Sequence, residues 1–164
     1  MPITPWQAGQ RITAGRMNLI TPVWSSWTPD WETSTGAGTP SLGNATVDCE
    51  YCQTGDLVVA RFEITFGSST SFGGGGTTDN WRFGLPVTAA ATVNAIGHFG
   101  LDTSATTRVY ARARLATTSL FELDISTGRV DGAGVTNNGL VDALSPETWG
   151  SGDGIRGTLQ YRAA

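Results

Sequence analysis

The 164-residue chain carries 14 acidic and 10 basic side chains, a formal net charge of −4 and a pI near 4.8. This balance speaks against a general electrostatic attraction to nucleic acid or to an anionic membrane surface. The length fits one domain with one core, and 22 glycines with abundant Ser and Thr favour an all-β fold rich in turns.

Residues 1–22 read as an N-terminal docking arm with a short helix, ahead of a β-sandwich domain at 23–164. Thr13 is placed to cap a helix from about Ala14 to Ile20 that Pro22 would stop. Ile12 and Met17 hold the two positions of a hydrophobic staple. Two helical turns are marginal alone in water, so the arm should dock through Trp6, Ile12, Met17, Leu19 and Ile20. It would either fold onto its own domain or grip a neighbouring subunit.

The segment VWSSWTPDWETS follows, with Trp27 and Trp31 on one face of an extended chain and Trp24 on the other. These three are candidate interface or glycan-stacking aromatics, with a partly buried strand or intersubunit contact favoured. Residues 36–43 read as a loop. A strand at 44–53, with Val47, Cys49 and Tyr51 on one face, turns through Thr54-Gly55-Asp56 into Leu57–Phe66. There Val58, Ala60, Phe62, Ile64 and Phe66 form a wholly apolar face opposite Arg61 and Glu63, and the rest of the domain should cover it.

Residues 67–80, with four consecutive glycines, read as a flexible surface loop. They lack the spacing of either glycine-rich nucleotide-binding motif. Short strands are expected at 81–85 and 93–101, the latter carrying His98. Alternation returns at 107–115, with Val109, Ala111, Ala113 and Leu115 inward and Arg108, Tyr110, Arg112 and Arg114 outward. Glu63, Glu122 and Asp124 on other strands offer ordinary cross-strand partners for that basic stripe. Residues 119–125 put Phe121, Leu123 and Ile125 in the core. A turn region at 131–138, a strand at 139–144, one helical turn at 145–148 above Trp149 and a last strand at 155–162 complete the chain.

No catalytic constellation emerges. Cys49 and Cys52 have the spacing of a zinc or redox half-site, but three residues along a strand they face apart, and no second Cys pair exists. Glu122 and Asp124 share a face, as glycosidase carboxylates can, yet alternate acids on an exposed strand are ordinary. A Ser/His/Asp triad would have only His98 and no nucleophile elbow. The expectation is a non-enzyme with no cofactor and no metal.

No run of residues approaches a membrane span, and the N-terminus lacks the pattern of a signal peptide, so a soluble chain made in a cytoplasm is expected. All ten basic residues are arginine, which points to a GC-rich coding bias in the source.

Three stretches carry a resemblance. WQAGQRITAGRMN, then GNATVDCEYCQTGDLVVARFEITFGSSTSFG with WRFGLPV after it, and the closing SPETWGSGDGIRGTLQY resemble the small virion proteins of tailed phages of actinobacteria. The resemblance implies a minor tail or fibre-head component, or a capsid-surface protein, with a docking arm and a jelly-roll-like β domain that often forms trimers. It carries over no active site and leaves the purpose of Cys49 and Cys52 open.

The combined expectation is a single antiparallel jelly-roll-like β-sandwich of about eight strands. It would serve as a minor tail or fibre-type virion component, made in the host bacterial cytoplasm. Its partners would be itself as a homotrimer, tail or major capsid protein, and a host-surface glycan, with no nucleic acid and no membrane. Capsid decoration is the alternative role. A carbohydrate-binding module for host cell-wall glycans is the alternative class, followed by a glycan-cleaving enzyme built on Glu122 and Asp124.

Overall fold

The structure is a computed structural model that describes residues 7–74, 79–103, 107–125, 139–146 and 148–164. Its elements are α1 (Ala14–Ile20), β1 (Ser25–Ser26), β2 (Trp31–Thr33), β3 (Thr46–Val47), β4 (Glu50–Thr54), β5 (Leu57–Thr65), β6 (Trp81–Gly84), β7 (Gly97–Thr103), β8 (Thr107–Leu115), β9 (Leu120–Ile125), β10 (Gly139–Leu140) and β11 (Gly154–Arg162). The fold is all-β with a minor helical arm. Of these strands, β1, β3 and β10 are two-residue pairings, which leaves eight of three residues or more.

Every pairing is antiparallel, and the strands run in the order β1-β4-β5-β11-β7-β8-β9-β6-β2, with β3 also on β5 and β10 on β9. The two ends of that order are consecutive in the chain, joined by residues 27–30 alone. Nine strands laid flat would put β1 and β2 about 38 Å apart. The linker between Ser26 and Trp31 reaches about 18 Å when fully extended. The sheet therefore curls over its apolar face into a sandwich.

Phe62 on β5 shows the same closure from inside. Its ring lies 5.3 Å from Phe83 on β6 and 5.7 Å from Phe121 on β9, although three strands separate β5 from β9 in the sheet. Val58, Ala60, Phe62 and Ile64 are all fully buried, as the strict alternation of β5 dictates. Burial of Val58, Phe62 and Ile64 stabilises the fold by about 1.5–3 kcal/mol each relative to exposure. Edge-to-face aromatic geometry adds up to about 1 kcal/mol per pair.

β8 and α1 occupy the residues expected of them, and β9 and β11 differ by one residue at the start. The strand expected at 44–53 is divided. Both pieces keep one register against β5, with Thr46 opposite Thr65 and Glu50 opposite Arg61. Between them the Glu63 N–H turns to the Cys49 sulfur at 3.4 Å, and the Cys49 carbonyl accepts from Trp27 N at 2.9 Å. The Trp27 bond continues the β1–β4 register, whereas the sulfur draws the Glu63 N–H away from the carbonyl of Asp48. Asp48 still donates its own N–H to the Glu63 carbonyl at 2.8 Å, and the strand is interrupted there.

The loop at 67–80 is tied down over its described residues, contrary to the flexible loop expected. Asn44 Oδ1 accepts from Ser69 N at 2.8 Å, Ser41 and Ser71 form a bridge, and the Trp81 indole N–H donates to the Phe72 carbonyl at 3.2 Å. Phe72 packs on Phe66 at 5.0 Å, so the loop closes one end of the core. The expected turn of helix at 145–148 is absent from its described residues. Ser145 instead bridges Asp142, whose carboxylate accepts from Leu144 N at 2.7 Å. Trp149 is buried and donates its indole N–H to the Asp142 carbonyl at 2.9 Å. The turn expected at 131–138 lies outside the described residues.

Candidate functional site

Thr13 caps α1 as its sequence implies, its hydroxyl accepting from Arg16 N at 3.4 Å. Gln10 Oε1 accepts from the Arg16 guanidinium at 2.6 Å and the Thr21 hydroxyl donates to the Met17 carbonyl at 2.9 Å, so these bonds stay within the arm. The staple positions are open: Ile12 is 64% exposed and Met17 44%. Ile20 is half-buried, and the backbone of Leu19 lies within α1. Trp6 lies outside the described residues. For Ile12 and Met17, folding back onto the chain's own domain is therefore not what the structure shows.

The tryptophan cluster divides in two. Trp31 is buried, stacked on Phe66 at 5.5 Å and edge-on to Trp81 at 4.8 Å. Trp27 is half-buried and meets Phe62 at 5.8 Å. Only Trp24 faces out, 51% exposed beside Val23 at 69%. A stacking platform made of all three does not exist, because parity along the extended chain sends Trp27 and Trp31 inward. Sequence reasoning did not single out Val23, and its position next to an exposed Trp is what marks it here.

The basic stripe on β8 is matched acid by acid. Arg112 meets Asp124 at 2.5 Å and Arg114 meets Glu122 at 2.6 Å, each directly across the β8–β9 ladder. Arg82, opposite Glu122 on the other flank of β9, reaches the same carboxylate at 3.5 Å. Arg156 joins Glu63 at 3.0 Å and also Asp102, while Arg61 pairs with Asp48, whose carboxylate holds that guanidinium firmly charged. The sequence did not single out Arg82, Asp102 and Arg156 for this network, because they come from strands distant in the chain. Glu122 and Asp124 are each committed to arginine, which makes them ties between strands.

Cys49 lies in the core, and burial pushes its thiol up to about 11, partly offset by its hydrogen bond with the Glu63 backbone. Cys52 is buried outside the core cluster, and both thiols are free. Among the described residues, no three His, Cys, Asp or Glu side chains converge as metal ligands would. His98 is exposed on β7 between Thr158 of β11 and Arg112 of β8. It lines a shallow depression of about 500 Å³ together with Leu57, Ala95, Thr158, Gln160 and Arg162.

Asp79 is buried beside β2, and its carboxylate accepts from the Thr35 hydroxyl at 2.5 Å and from Thr35 N at 3.2 Å. These bonds hold its carboxyl below the ordinary carboxylate range. The arrangement fastens residues 33–35 to the strand that follows. No family model, curated protein or solved structure matches the chain.

Proposed function

We propose that this chain is a structural virion protein of a tailed bacteriophage, a minor tail or fibre-type component docked through residues 1–22. The observation that carries the reading is the position of the uncovered apolar surface. Ile12 and Met17 in the arm, with Val23 and Trp24 directly after it, make up four of the eight large exposed hydrophobics among the described residues. Such side chains gain from burial in a partner, and aromatics anchor many interfaces. The resemblance to small phage virion proteins supports the same role, with the chain acting as a homotrimer by binding and assembly.

The test is to assemble particles with the full chain and with residues 1–22 deleted, and to locate and count the protein by immunogold imaging. A few copies at the tail end that vanish with the deletion support the reading. Hundreds of copies over the head would replace it with capsid decoration. A folded, truncated chain incorporated at normal copy number would overturn docking through the arm.

A further inference from the structure

Gly100 is a strand glycine that close packing does not require. Gly100, central in β7, sits between the inward Phe99 and Leu101 and opposite Tyr110 of β8. A Cβ there would meet only the Arg156 carbonyl oxygen at 4.0 Å, an ordinary contact. Glycine weakens a strand interior, and where the fold does not demand it, it can mark close approach of another molecule. Tyr110 is 83% exposed, so its ring does not lie down over the glycine.

His98 stands two residues along the same strand and lies diagonally across from Tyr110, a cross-strand separation of about 7–8 Å. It lines the shallow depression of about 500 Å³ described above. His98, Thr158 and Gln160 make no side-chain hydrogen bond to another described residue. The neighbouring charges are already matched: Arg112 with Asp124, Arg156 with Glu63 and Asp102, and, through longer and more exposed pairs, Arg108 with Asp102 and Arg162 with Asp56. The patch therefore combines an exposed aromatic face, polar side chains not committed to partners within the described chain, and charges that are paired with one another.

We infer that this outer face binds a neutral, hydroxyl-rich oligosaccharide. One sugar ring stacks on Tyr110 above the space that Gly100 leaves open. The adjoining residues enter the depression, where their hydroxyls meet Thr158, Gln160 and His98. Apolar C–H faces of a pyranose suit an aromatic ring, and its hydroxyls both donate and accept. An anionic polymer is disfavoured, because it would have to break the arginine pairs to gain charge contacts.

The experiment uses the full chain, free of other virion proteins, so its failure leaves the assembly reading untouched. Backbone amide NMR follows titration with chitohexaose, maltohexaose, a β-galactan hexasaccharide and sulfated dextran, alongside a bacterial glycan array. The expected result is saturable binding of a neutral member, with shifts centred on His98, Gly100 and Tyr110. Gly100→Val, which adds bulk in open space and leaves melting unchanged, weakens binding at least tenfold, as does Tyr110→Ala. Binding of sulfated dextran alone, shifts centred elsewhere, no binding by any neutral glycan, or unchanged affinity in both variants would each overturn the inference.

Discussion

Gly97 lies directly against the Thr158 carbonyl across the β7–β11 ladder, so that a Cβ on Gly97 would overlap the carbonyl oxygen and approach its carbon to 3.0 Å. The obstruction is backbone, which cannot rotate away. Gly97→Ala should therefore destabilise the fold by about 3 kcal/mol, at the upper end of overpacking costs. That corresponds to a fall of about 6–12 °C in melting temperature for a domain of this size. Gly100→Ala, three residues along, should be neutral or slightly stabilising, since its Cβ meets no close neighbour. Equal melting temperatures for the two variants in calorimetry would refute the distinction.

Glu122 is 4% exposed and serves two guanidiniums, Arg114 at 2.6 Å and Arg82 at 3.5 Å. The Nε atoms of both arginines are already buried without a hydrogen-bond partner. Glu122→Gln removes their shared counter-charge and should cost about 1–3 kcal/mol, below the full penalty of a buried pair because both arginines are partly exposed. Asp124→Asn breaks a more exposed pair with Arg112 and should cost less than about 1 kcal/mol. Urea unfolding with unchanged m-values measures both, and a larger loss at Asp124 would contradict this ranking.

The parts of the fold that were legible in sequence are those with a local signal. β5, β8 and β9 announce themselves by period two, and Thr13, Ala14 and Pro22 bound the helix. The strand order was not legible, because β11 pairs with β5 across nearly a hundred residues and nothing local encodes that choice. The break at Cys49 depends on a side-chain sulfur taking a backbone N–H from the next strand, which no propensity reveals. Parity separated Trp24 from Trp27 and Trp31, but which face was the core depended on the curl of the whole sheet. Gly100 became conspicuous only once its neighbours were known, since in sequence it is one glycine among 22.

The Cys49 thiol gives the fold an alkaline limit. Burial raises it from the ordinary 9.0 to about 11, so the folded state favours the neutral form. Its contribution is complete below about pH 9, where the unfolded thiol is also neutral, and is lost as pH rises toward 11. Tyr161, pushed from 10.0 to about 12 by burial despite accepting a hydrogen bond from Val87 N, adds a loss of the same sign in the next window. Unfolding free energy measured in urea should decline from about pH 9. Cys49→Ala should delay the onset of that decline to about pH 10. An identical pH profile in the variant would exclude Cys49 as its source.

Trp24 and Trp31 lie seven residues apart and should behave as opposites. Trp31 is 8% exposed and touches Phe66, Trp81 and Phe83, with ring centroids between 4.8 and 5.8 Å. Trp31→Ala removes a central aromatic and should cost about 3–5 kcal/mol. Trp24 is 51% exposed, and Trp24→Ala should change stability by no more than about 0.5 kcal/mol. Acrylamide should quench a smaller share of the native fluorescence once Trp24 is replaced by Phe. In particles the order reverses: Trp24→Ala should lower incorporation while the isolated chain melts normally, because its ring has nothing to cover until a partner arrives. If Trp24→Ala instead melts the isolated chain early and Trp31→Ala does not, the inward and outward assignments of the two rings are reversed and the docking surface must be sought elsewhere.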